Sequence, residues 1–260
     1  MPALLGHETP QRGLASRNGL CYVMRTVAQK RMKLTTPEEV KIVPAYRLAE
    51  AARYLGASPS TLRGWFRGRN YKSGGQQRRA TPVLGQHGGQ GDALSFLDLV
   101  EAHLLHAIRR GYGIPLNRFR QAMDFLREIH PDLHFLAHQD FRYDHHDLFL
   151  KVEDQLVSLS ERGQIVSEKI IEDGLKRLDY GADGFASRFF LPTSHTDRRT
   201  IALDPSLGFG RPVIARLGIK ADVIGERFAA GEGVEAIASD YGAKTMEIED
   251  ALRWCKRVAA

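Results

Sequence analysis

YRLAEAARYLGASPSTLRGWF, residues 46–66, carries the punctuation of two short helices joined by a tight turn. Leu48, Ala51, Ala52 and Leu55 recur at the spacing of one helical face. Gly56 can take the left-handed backbone that ends such a helix. Ser58 is placed to cap a second helix, and Pro59 sits at its first position, where a missing N–H costs nothing. Leu62, Trp65 and Phe66 give the second helix an apolar side, while Ser60, Thr61 and Arg63 fall on the other. A small residue, Ala51 or Ala52, lets the two helices cross closely. This is the grammar of a helix-turn-helix, whose second helix aims polar side chains at base edges and phosphates.

Charge strengthens that reading. No acidic residue occurs from Ala51 to Gly91, whereas Arg53, Arg63, Arg67, Arg69, Lys72, Arg78 and Arg79 all lie there. Residues 67–92 are rich in Gly, Gln and Arg and read as a long loop or a flexible hairpin that can lie along a phosphate backbone as a wing. The expected DNA contacts are Ser58, Ser60, Thr61, Arg63, Arg67, Arg69, Lys72, Arg78 and Arg79. A helical hairpin that only packs would share the turn; the acid-free cationic run is what separates the two readings. Residues 1–129 carry 20 Lys and Arg against 9 Asp and Glu, residues 130–194 carry 7 against 12, and residues 195–260 carry 10 of each. The basic character belongs to the first half and points to an anionic partner for it.

Farther out, residues 1–42 show no sustained period and read as disordered or extended. Ser95 is placed to cap a helix running to Arg110, and a second helix spans about 115–129. These complete a DNA-binding region over residues 43–129. Residues 130–194 read as a mixed α/β middle region: strands over 147–152 and 155–159, a helix over 166–178, then a Gly- and Asp-rich linker over 179–199. Residues 195–260 read as a unit of two short strands around Gly208 and Gly210 followed by three helices, about 221–230, 234–241 and 246–258. The fold class expected is mainly α with small β elements.

Several function classes find no support. The hydrophobic fraction is 43% and no apolar run approaches the roughly 18–20 residues that span a bilayer, so the chain is expected in the cytoplasm without a membrane. Cys21 and Cys255 make neither a disulfide framework nor a metal site. His145 and His146 are adjacent and would point to opposite faces of a strand; His103 and His106 have no Cys or acidic partner at ligand spacing. Gly88-Gly89-Gln90-Gly91 lacks the Lys of a phosphate-cradling loop. No catalytic residue, metal or cofactor is expected, and the chain is read as a non-enzyme.

The run Ser58-Pro59-Ser60-Thr61-Leu62-Arg63-Gly64-Trp65 resembles the MerR-type winged helix, with Gly64 where that family usually has an aromatic. The helix opened by Leu94-Ser95-Phe96-Leu97-Asp98-Leu99 is similar to the one that follows the wing there. Residues 201–254 resemble the domain of unknown function 433 through Ile201, Asp204-Pro205, Gly210-Arg211-Pro212-Val213-Ile214, Ala230-Gly231, Ile237-Ala238, Asp240-Tyr241 and Ala251-Leu252; Arg216-Leu217-Gly218 stand where that family often has Gly-Thr-Arg. The combination over residues 43–258 resembles the large VapB-type antitoxins. That resemblance implies a type II antitoxin that binds double-stranded operator DNA as an autorepressor and neutralises a PIN-domain ribonuclease toxin, as a homodimer or a larger toxin–antitoxin assembly. Arg211 and Arg216, near a turn of the C-terminal unit, are its candidate toxin contacts; the acidic middle region is a second candidate surface. The alternative is a free-standing MerR-like regulator whose C-terminal region dimerises or binds an effector.

Overall fold

Small side chains decide how closely two helices can cross, and the quoted stretch supplies them where they are needed. In the computed structural model, a short helix α1 (Pro37–Ile42) and a two-residue strand β1 (Tyr46–Arg47) lead into α2 (Leu48–Leu55). Gly56 ends α2 in the left-handed region at φ 63°, and α3 (Pro59–Arg67) follows. Ala51 and Ala52 are fully buried, as are Leu62, Trp65 and Phe66. The structure describes residues 36–85, 93–112, 116–129, 134–144, 147–152, 155–158, 173–192 and 198–259. The expected extended segment up to residue 35, Cys21, the Gly88–Gly91 stretch, His145-His146 and most of the expected helix over 166–178 lie outside them.

A hairpin of β2 (Arg69–Ser73) and β3 (Gln76–Ala80) follows α3, and β4 (Ala93–Leu94) returns to pair with β1. Helix α4 (Phe96–Tyr112) is the central strut. Its start is a reciprocal cap: Ser95 N–H donates to Asp98 Oδ2 at 2.9 Å, and Asp98 N–H donates to Ser95 Oγ at 3.1 Å. Leu99, Val100, Leu104, Leu105 and Ile108 are completely buried, and α4 packs against α1, α2 and the strand β9 described below. Helix α5 (Leu116–Ile129) comes next, then three antiparallel strands, β5 (Phe141–Asp144), β6 (Asp147–Val152) and β7 (Gln155–Ser158), in sequence order.

Two expectations need correction. Residues 37–42 are helical rather than extended. The cause is distant in sequence: buried Lys41 donates to both carboxylate oxygens of Asp183 at 2.8 Å, which fastens a helix too short to persist alone. The stretch 179–199 does not serve only as a linker. It contributes to β8 (Leu178–Tyr180) and builds β9 (Ala186–Phe190), which extend the C-terminal strands β10 (Ile201–Leu203), β11 (Val213–Ile214) and β12 (Ile219–Lys220) into one five-stranded antiparallel sheet, ordered β12-β11-β10-β9-β8. Three helices close the chain: α6 (Ala221–Ala229), α7 (Val234–Tyr241) and α8 (Thr245–Ala259).

The apolar core is shared end to end among the described residues. It runs from Tyr46 and Leu48 through α4 to Ile201, Ile214, Ile224, Ile248 and Trp254. The Tyr54 ring on α2 meets the Trp254 ring on α8 at 5.7 Å between centroids. Glu50, also on α2 and largely buried, accepts from the Tyr54 hydroxyl at 2.6 Å and is ion-paired to Arg211. A carboxylate held out of water needs such partners. Trp65 and Trp254 are the two tryptophans of the chain, one on α3 in the helix-turn-helix and one on the last helix, and both belong to this core. Single-tryptophan variants W65F and W254F are expected to report the same urea-unfolding transition. Adding Arg211→Met should lower both by about 1–3 kcal/mol; a shift confined to the Trp254 signal would show that the two ends unfold separately.

Candidate nucleic-acid interface

The outer face of α3 is built by its cap. Ser58 Oγ accepts from the Thr61 N–H at 3.1 Å and lies 2.9 Å from Ser60 Oγ and 2.8 Å from Thr61 Oγ1. The three hydroxyls thus form one cluster at the helix N-terminus. Ser58, Ser60 and Arg63 are exposed and Thr61 is half-buried, while Leu62, Trp65 and Phe66 on the opposite side are buried. Arg63 is therefore not walled off by the chain's own packing.

The hairpin stands clear of the body, and every residue from Arg69 to Arg79 is exposed. Its turn, Gly74-Gly75, has φ of 58° and 80°, the pair of positive values that a two-residue hairpin turn of this hand demands. Gly68 at its base has φ 74°, and a Cβ there would lie 2.1 Å from the Ala80 carbonyl oxygen. The register places Tyr71 opposite Arg78 and Asn70 opposite Arg79. Arg69, Tyr71 and Arg78 thus share one face, with Lys72 and Arg79 on the other. Arg79 also donates to the Arg67 carbonyl at 3.5 Å, and the Val83 N–H donates to the Trp65 carbonyl at 2.8 Å. From α5, Arg120 donates to the Thr81 carbonyl and Arg127 to that of Val83. The base of the hairpin is thereby fixed to α3 and to α5.

The residues expected to meet DNA lie on two consecutive elements: Ser58, Ser60, Thr61 and Arg63 on the helix, Arg67 half-buried at its end, and on the hairpin Arg69 and Arg78 on one face with Lys72 and Arg79 on the other. Tyr71 is an addition to that set, since its place opposite Arg78 is visible only in the strand register. The C-terminal pair behaves otherwise. Arg211 is spent on Glu50, and Arg216 donates to Glu247 from Nε at 3.0 Å and from Nη2 at 2.7 Å, with the Gly242 carbonyl at 3.0 Å. Between Gly208 and Gly210, Phe209 holds a left-handed backbone at φ 57° with its side chain 87% exposed. That conformation is strained for a bulky residue, and no signal in the sequence announced it.

Comparison with known proteins fits this geometry. A family model described as "Putative DNA-binding HTH domain" matches residues 44–123, from just before β1 into α5, and the domain of unknown function 433 matches residues 201–255, from β10 into α8. "Putative antitoxin VapB45" of Mycobacterium tuberculosis is 33% identical over 228 residues, covering 81% of this chain and 93% of that protein. The chain belongs to the family of this antitoxin. "Uncharacterized protein Rv2308" of the same organism is 24% identical over 219 residues, covering 82% of this chain and 90% of its own. The crystal structure of Rv2018 from M. tuberculosis superposes with a TM-score of 0.54 at 25% identity, over 81% of this chain and 98% of that one.

This member of the family also gathers one buried group that residue spacing did not reveal. Ligand atoms of Asp98, Glu101 and His134 lie within 4.8 Å of one another, a set of the kind that can hold a cation. Asp98, however, is engaged in the cap of α4, and His134 Nδ1 lies 3.3 Å from Glu101 Oε2, which makes an ion pair the simpler reading. Burial disfavours the charged imidazole, but the carboxylates of Glu101 and Asp98 outweigh it and leave the His134 pKa above its ordinary 6.5. A raised folded-state pKa stabilises the fold fully below about pH 6.5, and that contribution fades as the pH climbs through the raised value. His134→Gln is expected to flatten this alkaline decline in a series of thermal melts. An unchanged slope would show that the pair does not titrate in this way.

Proposed function

We propose that the chain is the antitoxin of a type II toxin–antitoxin pair, binding operator DNA as an autorepressor and neutralising a PIN-domain ribonuclease. What supports the DNA half is the exposed outer side of α3 together with the exposed hairpin after it, two elements that contain no acidic residue. In a MerR-like winged arrangement α3 enters the major groove. Ser60, Thr61 and Arg63 meet base edges or nearby phosphates, and Ser58 orders the helix start beside them. Arg67, Arg69, Lys72, Arg78 and Arg79 lie along the backbone and position the protein rather than read sequence. One helix-turn-helix reads only a few base pairs, so two chains on paired half-sites supply the affinity. Residues 43–129 form the DNA-binding part and residues 195–260 the part that meets the toxin. The chain acts in the cytoplasm by binding, without catalysis of its own.

The toxin half is supported by the name of the relative that matches most of the chain. On the C-terminal part, Arg211 and Arg216 keep about half of their side chains exposed while an internal carboxylate holds each guanidinium. A preset guanidinium loses little rotamer freedom on docking. Phe209, two residues from Arg211 on the same turn, adds an aromatic anchor of the kind that dominates protein interfaces.

Binding to the DNA upstream of its own reading frame should weaken steeply with salt. Lys72→Ala and Arg78→Ala are each expected to reduce the slope of log affinity against log salt by about 1. Arg63→Ala should also blunt discrimination between that DNA and unrelated duplex. Unaltered slopes in both wing variants would sink the DNA reading. Phe209→Ala should leave DNA affinity intact, because the residue lies outside the cationic surface, yet reduce co-purification with the neighbouring toxin and weaken growth rescue. Full rescue by that variant would remove this turn from the interface.

A further inference from the structure

A cavity of about 310 Å³ opens between α2, α4 and β9, apart from the cationic surface. Such a volume lies at the small end of ligand pockets. Its apolar wall is made by Leu55, Ala107, Phe189 and Pro192. The Phe189 ring and the imidazole of His103 approach to 4.4 Å between centroids and form a ring-lined side. Among the described lining residues, Arg110 and Arg177 contribute two guanidiniums against the carboxylate of Asp173.

We infer that this cavity binds a small anion, a phosphate or carboxylate carried on a flat apolar body, and that its occupancy is sensed by the helix-turn-helix. The ring-lined wall suits a flat body, and the two guanidiniums suit the anion. The electrostatics agree. Burial, then the cations Arg110 and Arg109, depress the pKa of His106 below its usual value. Burial takes His103 down to about 4, although its Nε2 lies 3.2 Å from the Gly174 carbonyl. Arg257 is likewise lowered by burial and by Arg177. Both imidazoles are then neutral at pH 7 and act as hydrogen-bonding groups, and the guanidinium of Arg110 is the cation an anion meets beside them.

The coupling is built into the wall. Tyr54 and Leu55 belong to α2, and His106 stands 6.2 Å from the Trp65 ring, ring centre to ring centre, on the inner side of α3. An occupant touches the first helix of the helix-turn-helix directly and the recognition helix through one side chain. If it prefers one placement of these helices, it changes DNA affinity, and DNA changes its affinity by the same factor.

The test uses the full chain with phenyl phosphate, benzoate, inorganic phosphate and benzyl alcohol, read by calorimetry and by chemical-shift changes. Phenyl phosphate, benzoate or both should bind saturably, and which is tighter identifies the anionic group. Arg110→Gln should weaken that binding about tenfold, the worth of one charge-assisted hydrogen bond. Trp65→Phe, behind the wall and outside the cavity lining, should keep binding but reduce its effect on DNA affinity. No saturable binding of either aromatic anion overturns the proposal, as does equal binding by Arg110→Gln, which would place the anion on the exposed cations elsewhere. Inorganic phosphate as good as phenyl phosphate overturns the flat body, and benzyl alcohol as good as either anion overturns the charge. DNA affinity indifferent to a saturating anion overturns the coupling. The ligand arm needs no DNA, so its failure is distinct from failure of the proposed function.

Discussion

Helix α2 is buried on two sides, and much of the described fold depends on that double contact. Of its eight residues, Leu48, Glu50, Ala51, Ala52 and Tyr54 are buried. Ala51 and Ala52 admit α3 on one side, while Tyr54 meets Trp254 and Glu50 meets Arg211 on the other. Burying a carboxylate in this position is costly unless it is paired. The Tyr54 hydroxyl and the Arg211 guanidinium meet that requirement and also fix how the C-terminal strands and helices sit on the helix-turn-helix. Recognition helix and C-terminal unit are thereby referenced to the same eight residues.

The hairpin follows the opposite rule. It gains almost nothing from burial and must hold its shape by backbone means: glycines in the left-handed region at its tip and base, ladder hydrogen bonds along its length, and arginines from α5 gripping the strand exit. Its cations stand in water with no acidic residue nearby in sequence, an arrangement that repels itself until an anionic surface arrives.

Local signals were legible in the sequence, and non-local ones were not. The cap at Ser58, the turn at Gly56, the reciprocal cap at Ser95 and the three closing helices follow from residues within a few positions of one another. The strands at 201–203 and 213–214 were foreseen around Gly208 and Gly210 because turn residues bracket them. Nothing local announces helix α1, because its support, Asp183, lies far along the chain. Glycine and aspartate dominate locally around β8 and β9 and favour a linker, whereas pairing of Phe190 with Ala202 outweighs that preference. On α3, spacing alone separates the buried side from the exposed polar one. The role of Tyr71, the internal ties of Arg211 and Arg216, and the cavity beside His106 all need the tertiary arrangement.

The seam at α2 also bears on how such chains can be recombined. Two separately recognisable family segments invite treatment as interchangeable beads, one for each task. Yet a graft of the DNA-reading half onto a foreign tail would strand the Glu50 carboxylate without its guanidinium and bare the Tyr54 ring. Successful chimeras would have to carry α2 and the Arg211 turn together as a matched joint. The natural unit of exchange is then the two segments together rather than either alone.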